Sequence, residues 1–364
     1  MNPAVEPIAR ALLYEGYALY PYRPDALKNR HRWTLGGLAP RTYGERHGEP
    51  WSLQAECLLY GDVETRLSVG LRFLRPVGTA SSWQEAVEEE FTVPDVSLSG
   101  SVRRSFPTGS TEIPVTAVVE LSASGVCDGL YRIRVRVENL TPVDDPERMS
   151  RDAAMLRSLA SAHVVLGVRG GRFVSLTDPP DELRALADSC RNVGVWPVLV
   201  GDPARCDTVL ASPIILADFP AIAPESPGDF FDGTEIDEML ALRIQTLTDT
   251  EKRQMAALDS RTQALLERVE RLSNGDFARL HGTARGPRPG DRVRLRPAGR
   301  ADAFDLLLVG KAATVMSIET DFEGKSYVTV TLDEDPGRDL GVTGMPGHRF
   351  FFRPDEVEPL GDAP

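Results

Sequence analysis

The chain has 364 residues, 41% of them hydrophobic, which is enough for two or three domains with their own cores. Lys and Arg number 41 against 54 Asp and Glu, so the net charge is −13, and that excess of negative charge argues against binding to nucleic acid. No apolar run reaches the ~18 residues of a membrane span, and the first residues lack the apolar core and cleavage site of a signal peptide, so a cytoplasmic protein is expected. Four scattered cysteines without a CxxC pair give no disulfide framework.

Residues 1–217 read as a β-sandwich-like module with α/β extensions. Trp51 to Val77 holds two apolar runs broken at Gly61-Asp62, the pattern of a hairpin. In Tyr131 to Val137, Tyr131, Ile133, Val135 and Val137 alternate with Arg132, Arg134 and Arg136, which predicts a strand buried on one face. Glu147 to Ser161 shows helical spacing, followed by the apolar run His163 to Val168 and a turn at Gly170-Gly171, read as a hairpin. A second helix is expected over Asp181 to Arg191 after two prolines.

Residues 218–285 read as an acidic loop followed by short helices. Between Leu216 and Leu240 stand Asp218, Glu225, Asp229, Asp232, Glu235, Asp237 and Glu238 with no Lys or Arg. Thr234 with Asp237, and Thr248 with Glu251, have capping-box spacing, and Asp259 or Ser260 caps a third helix. Ile236, Leu240 and Ile244, flanked by Met239 and Leu247, form the stripe expected to face the core. Asn274-Gly275 reads as linker. Residues 286–364 carry four or five short strands separated by turn residues, the size of an SH3-like small barrel. The fold class is thus α+β, mostly β.

Motifs for chemistry are sparse. The five histidines show no metal-ligand spacing, and GxSxG, GxxxxGK[ST] and GxGxxG are missing. No cofactor is expected. Clustered carboxylates also bind divalent cations, so a metal-dependent enzyme or metal carrier using Asp229, Asp232, Glu235 and His281 is the alternative reading. The opposite charge gathers in residues 14–46, where Tyr20, Tyr22, Arg23, Lys28, Arg30, Arg32 and Trp33 combine guanidinium groups with amphipathic aromatics. Protein interfaces anchor on such residues, and the same residues pack equally well against an acidic segment of their own chain. Together with Asp229, Asp232 and Glu235 they are the candidate partner-binding residues.

Two stretches, LYEGYALYPYRPDALKNRHRW (13–33) and SPIILADFPAIAPESPGDFFDGTEIDEMLALR (212–243), with Leu280-His281-Gly282, resemble an uncharacterised family of bacterial proteins encoded beside [NiFe]-hydrogenase genes. The resemblance runs through most of the first 285 residues. It implies a hydrogenase-associated accessory role, with hydrogenase subunits or maturation factors as partners, and brings no site residues with it. The expected function is therefore a non-enzymatic accessory or assembly factor.

Overall fold

The computed structural model describes residues 5–24, 26, 28–32, 35–79, 83–108, 113–222, 226, 228–232, 236–280, 289–296, 308–320, 326–335 and 348–360. The chain is mixed α+β, mostly strand, and divides into two compact units, residues 1–273 and 274–364. The first unit opens with α1 (Glu6–Leu13), a 3-10 turn (Lys28–His31) and α2 (Arg41–His47). Six strands follow: β1 (Ser52–Tyr60), β2 (Arg66–Val77), β3 (Glu85–Ser97), β4 (Ser101–Pro107), β5 (Thr116–Cys127) and β6 (Leu130–Asn139). Then come α3 (Arg151–Met155), β7 (Ala160–Arg169), β8 (Arg172–Val174), α4 (Arg184–Asp188), β9 (Trp196–Leu199) and β10 (Thr208–Ser212). The unit ends with α5 (Asp237–Gln245), α6 (Asp249–Ala256) and α7 (Ser260–Glu270).

Two antiparallel sheets, ordered β4-β5-β6-β1-β8 and β3-β2-β7-β10-β9, contribute to one buried cluster. The period of two decides which residues enter it. Ile133, Val135 and Val137 of β6 lie in it with Leu53, Ala55 and Leu59 of β1, and from the other sheet come Leu67, Val69 and Leu71 of β2 and Val164 and Leu166 of β7. The second sheet is covered on its other face as well, because Val5 and Leu12 of the α1 region pack on Val165, Val198, Val200 and Leu210. Burial on both sides explains why β7 is a near-continuous apolar run rather than an alternating one.

Several local expectations are corrected. The break at Gly61-Asp62 is not a hairpin: β1 pairs with β6 and β8, β2 pairs with β3 and β7, and the chain crosses from one sheet to the other between them. Asp62 Oδ1 accepts from the amides of Glu64 and Thr65, and the Thr65 hydroxyl donates to Gly170 O, so the crossing is tied to the Gly170-Gly171 turn. That second turn likewise joins strands of different sheets. The helix expected over Glu147 to Ser161 is only one turn long. Ser150 caps it, and the chain leaves it to bridge Leu38 through Leu159 before entering β7. Over Asp181 to Arg191 a 3-10 turn (Asp181–Leu183) precedes the short α4.

The second unit contains α8 (Asn274–Leu280), where linker was expected, and β11 (Arg292–Leu295), β12 (Ala312–Thr320), β13 (Ser326–Leu332), β14 (Phe350–Phe352) and β15 (Val357–Pro359). These strands form one antiparallel sheet, β14-β13-β12-β11-β15, which among the described residues is open and not a closed barrel. Val293, Leu295, Val315, Val328, Val330 and Phe352 make its core. Alternation places Phe352 inside and leaves Phe351 59% exposed. No helix among the described residues is long and apolar enough to cross a membrane.

One buried group makes stability depend on pH. His163 of β7 is fully buried, with Nδ1 3.0 Å from Ser161 O and no hydrogen-bond partner for Nε2 among the described residues. Burial pulls its pKa down to about 4, below the roughly 6.5 of an unfolded histidine. The unfolded chain therefore takes up the proton first as pH falls. The stability contributed by neutral His163 is complete above about pH 6.5 and is lost down to about pH 4, an effect of about 3 kcal/mol. Denaturant titrations at pH 7 and pH 4.5 on the protein and on His163→Asn should show a smaller pH dependence in the variant.

Candidate interaction site

The segment after α1 folds against the end of the same unit. Tyr14, Tyr17 and Tyr22 are all buried to within 1%, and each hydroxyl finds an acceptor far away in sequence. Tyr14 donates to Glu88 Oε1 at 2.5 Å, Tyr17 to Asp259 Oδ2 at 2.9 Å, and Tyr22 to Phe230 O at 2.9 Å. The Tyr14 and Tyr17 rings contact each other, edge to face at 5.5 Å, and both contact Phe231, whereas the Tyr22 ring meets that of Tyr20. Gly16 N donates to Phe231 O at 2.8 Å. Tyr22 and Phe231 both adopt positive φ, 54° and 63°, a conformation costing about 1–3 kcal/mol that these surrounding contacts sustain.

Asp259 is the node of this arrangement. As the N-cap of α7 it accepts from the amides of Arg261 and Thr262 at 3.0 and 2.9 Å through Oδ1. Its other oxygen takes Tyr17 and the Trp83 indole N–H at 2.7 Å. Burial works to raise its pKa, yet these donated hydrogen bonds outweigh burial and hold it below the ordinary value. Arg32, 5% exposed, lies with its guanidinium carbon 3.5 Å from the Trp83 ring centre and 5.0 Å from that of Tyr17, and its Nε donates to Tyr17 O at 2.6 Å. Burial lowers its pKa to about 10, so it stays charged at neutral pH. Arg261 lies 4.1 Å above the Tyr14 ring and 3.6 Å from Glu88.

The acidic segment meets the basic one directly. Asp232, 1% exposed, accepts from Tyr20 N at 3.3 Å and has Lys28 Nζ at 4.0 Å. Arg268 donates to Asp229 O and lies 5.6 Å from the Phe230 ring centre. Asp237, its pKa raised by burial, accepts from Ser226 Oγ at 2.8 Å. Arg23 is 3.5 Å from Glu251, the carboxylate that closes the capping box with Thr248.

The expected site residues are thus divided. Tyr22, Arg32 and Asp232 are buried in contacts within the chain, whereas Tyr20, Arg23, Lys28 and Asp229 retain exposed area. Arg30 belongs to the 3-10 turn, and its side chain, like Trp33, Glu235 and His281, lies outside the described residues. Among those described, no group of three or more His, Cys, Asp or Glu side chains could hold a metal ion. Sequence reading missed Trp83, Glu88 and Arg261, and took Asp259 only as a helix cap. The available signal was the surplus of tyrosines, more than one helix face can bury.

The outer edge of this clasp is formed by α5. Leu240, Ala241 and Ile244 are buried, but Ile236, Met239 and Leu242 are 68%, 41% and 41% exposed, so the single inward stripe that includes Ile236 and Met239 is not what forms. Ile236 is the N-cap of α5 and its own side chain makes no capping hydrogen bond, while Thr234 of the expected capping box lies outside the described residues. Beside this face Arg243 sits 5.4 Å from the Tyr20 ring centre. A helix apolar on both sides is expected to be covered on both. No protein-family model matches the chain, and no curated protein matches it.

Removing the node leaves four part-buried donors without their acceptor. Asp259→Ala should lower unfolding free energy by about 2–4 kcal/mol, against about 1 kcal/mol for Thr248→Ala, which removes a cap alone. Thermal denaturation of the two variants measures the difference, and equal losses would show that Asp259 acts only as a cap.

Proposed function

We propose that the protein is a non-enzymatic accessory factor that docks on partner proteins through the outer face of the clasp, and that its partners belong to the [NiFe]-hydrogenase system. The observation that carries the docking reading is α5. Met239 and Leu242 stand exposed on a helix already buried on its other side, next to the Tyr20–Arg243 pair. Aromatic, Met and Arg side chains clustered in this way are the composition of interface anchors. The choice of partner rests on the two stretches that resemble the hydrogenase-associated family. They are the segments that meet here, through Gly16 with Phe231, Tyr22 with Phe230 and Tyr20 with Asp232.

In this reading the two sheets sharing a core form a β-sandwich that serves as the rigid support. The second unit is an SH3-like module, supported by its strand order and by the 3-10 turn, Pro354–Glu356, between its last two strands.

The test is affinity purification of the tagged protein from its native host, beside the double variant Met239→Glu, Leu242→Glu. Hydrogenase subunits or maturation factors should co-elute with the protein and be lost with the variant, while thermal stability changes by no more than about 1 kcal/mol. Recovery of the same hydrogenase proteins by the variant would overturn the docking face, and their absence from both eluates would overturn the assignment of partner.

A further inference from the structure

Away from the clasp, α2 and α3 border a cavity of about 210 Å³. Its walls are tied by backbone hydrogen bonds, from Ala39 N to Pro50 O at 2.7 Å and from Glu49 N to Gly44 O at 3.1 Å. Gly44 permits the second approach, since a Cβ there would stand 2.6 Å from Glu49 O. The cavity is therefore formed in advance of any ligand. Its apolar lining comes from Ala39, Ala154 and Met155, all at least nine-tenths buried.

Three polar side chains complete it. Tyr43 is 5% exposed, and its ring stacks on His47 at 4.2 Å. Its hydroxyl makes no hydrogen bond among the described residues and keeps access to solvent, so it is open to a ligand in the cavity. Glu49 and Arg151 line the same cavity as an ion pair at 3.4 Å, about a third exposed each. The two charges cancel, so the cavity offers one acceptor-rich and one donor-rich neighbour together with a free hydroxyl.

We propose that this cavity binds a small neutral molecule consisting of a ring or branched chain and one carboxamide-type head. The size argument is direct: an apolar cavity of about 150 Å³ takes benzene, so the present one takes a ring plus a planar head of three heavy atoms. The carbonyl accepts from both the Tyr43 hydroxyl and Arg151, and the amide N–H donates to Glu49. A carboxylate in the same place would meet the charge of Glu49, and an ammonium group that of Arg151.

The matched series benzamide, benzoate and benzylamine tests the head group on a constant ring. Titrated into the ¹⁵N-labelled full chain, benzamide should shift the amides of Gly37, Gly44 and Ala154 saturably, with a Kd of about 1 mM as expected for nine heavy atoms. The two charged analogues should bind at least about tenfold more weakly, the factor that one lost charge-compatible hydrogen bond represents. Tyr43→Phe should weaken benzamide by about tenfold with an unchanged thermal midpoint, and Arg151→Gln, altered at the rim, is the second variant with the same expectation. No saturable shift at these residues, equal binding of a charged analogue, or undiminished binding by both variants would overturn the proposal.

Discussion

The carboxylate of Asp259 joins three parts of the chain that lie far apart in sequence. Its two oxygens receive the first turn of α7, the hydroxyl of Tyr17 and the indole of Trp83. Each donor is drawn from a buried or part-buried position, where an unmade hydrogen bond costs more than a made one contributes. The carboxylate is also what makes the buried guanidinium of Arg32 tolerable, because Arg32 lies between the rings of the two residues that Asp259 fixes. The clasp is thus a charge-compensated layer, with the aromatic rings supplying area and Asp259 supplying position.

The two large sheets differ in how they are covered, and the difference places the clasp. The β3-β2-β7-β10-β9 sheet has α1 on its outer face, and the chain leaving α1 at Leu13 runs straight into Tyr14 and Tyr17. Glu88 on β3 reaches Tyr14 and Arg261 from the same side. The other sheet is covered on its outer face only in part, where Leu183 and Ala187 pack on Leu58, Leu130 and Val174, and Arg134 of β6 stays exposed. Helices α5 to α7 therefore associate with the sheet whose outer face is apolar and acid-bearing, through contacts made by the N-terminal segment.

Local chemistry was legible in the sequence wherever one segment determines its own state. The alternation of β6, the capping box at Thr248 and the Asp259 cap follow from nearest neighbours and appear as read. What failed were features whose meaning depends on distant strands. A Gly-Asp turn is the same turn whether the next strand returns to the same sheet or crosses to another, and only the facing core residues decide between them. The helix before β7 had adequate spacing, but pairing with Leu38 takes Leu159 out of it. The site divides in the same way. Tyrosines and arginines marked it, while their acceptors lie 74, 208 and 242 positions away, beyond any pattern a window can detect.

That separation governs the order in which the protein can be completed. Tyr17 and Asp259 are 242 residues apart, so during synthesis at about 5–20 residues per second the tyrosine waits roughly 12–50 s for its acceptor to be made. Through that interval the sheets can assemble from strands that are already present, but Tyr17 and Tyr22 have no bonding partner until Asp259 and Phe230 are made. The N-terminal segment is consequently the first part of this unit to be translated and among the last to be fastened.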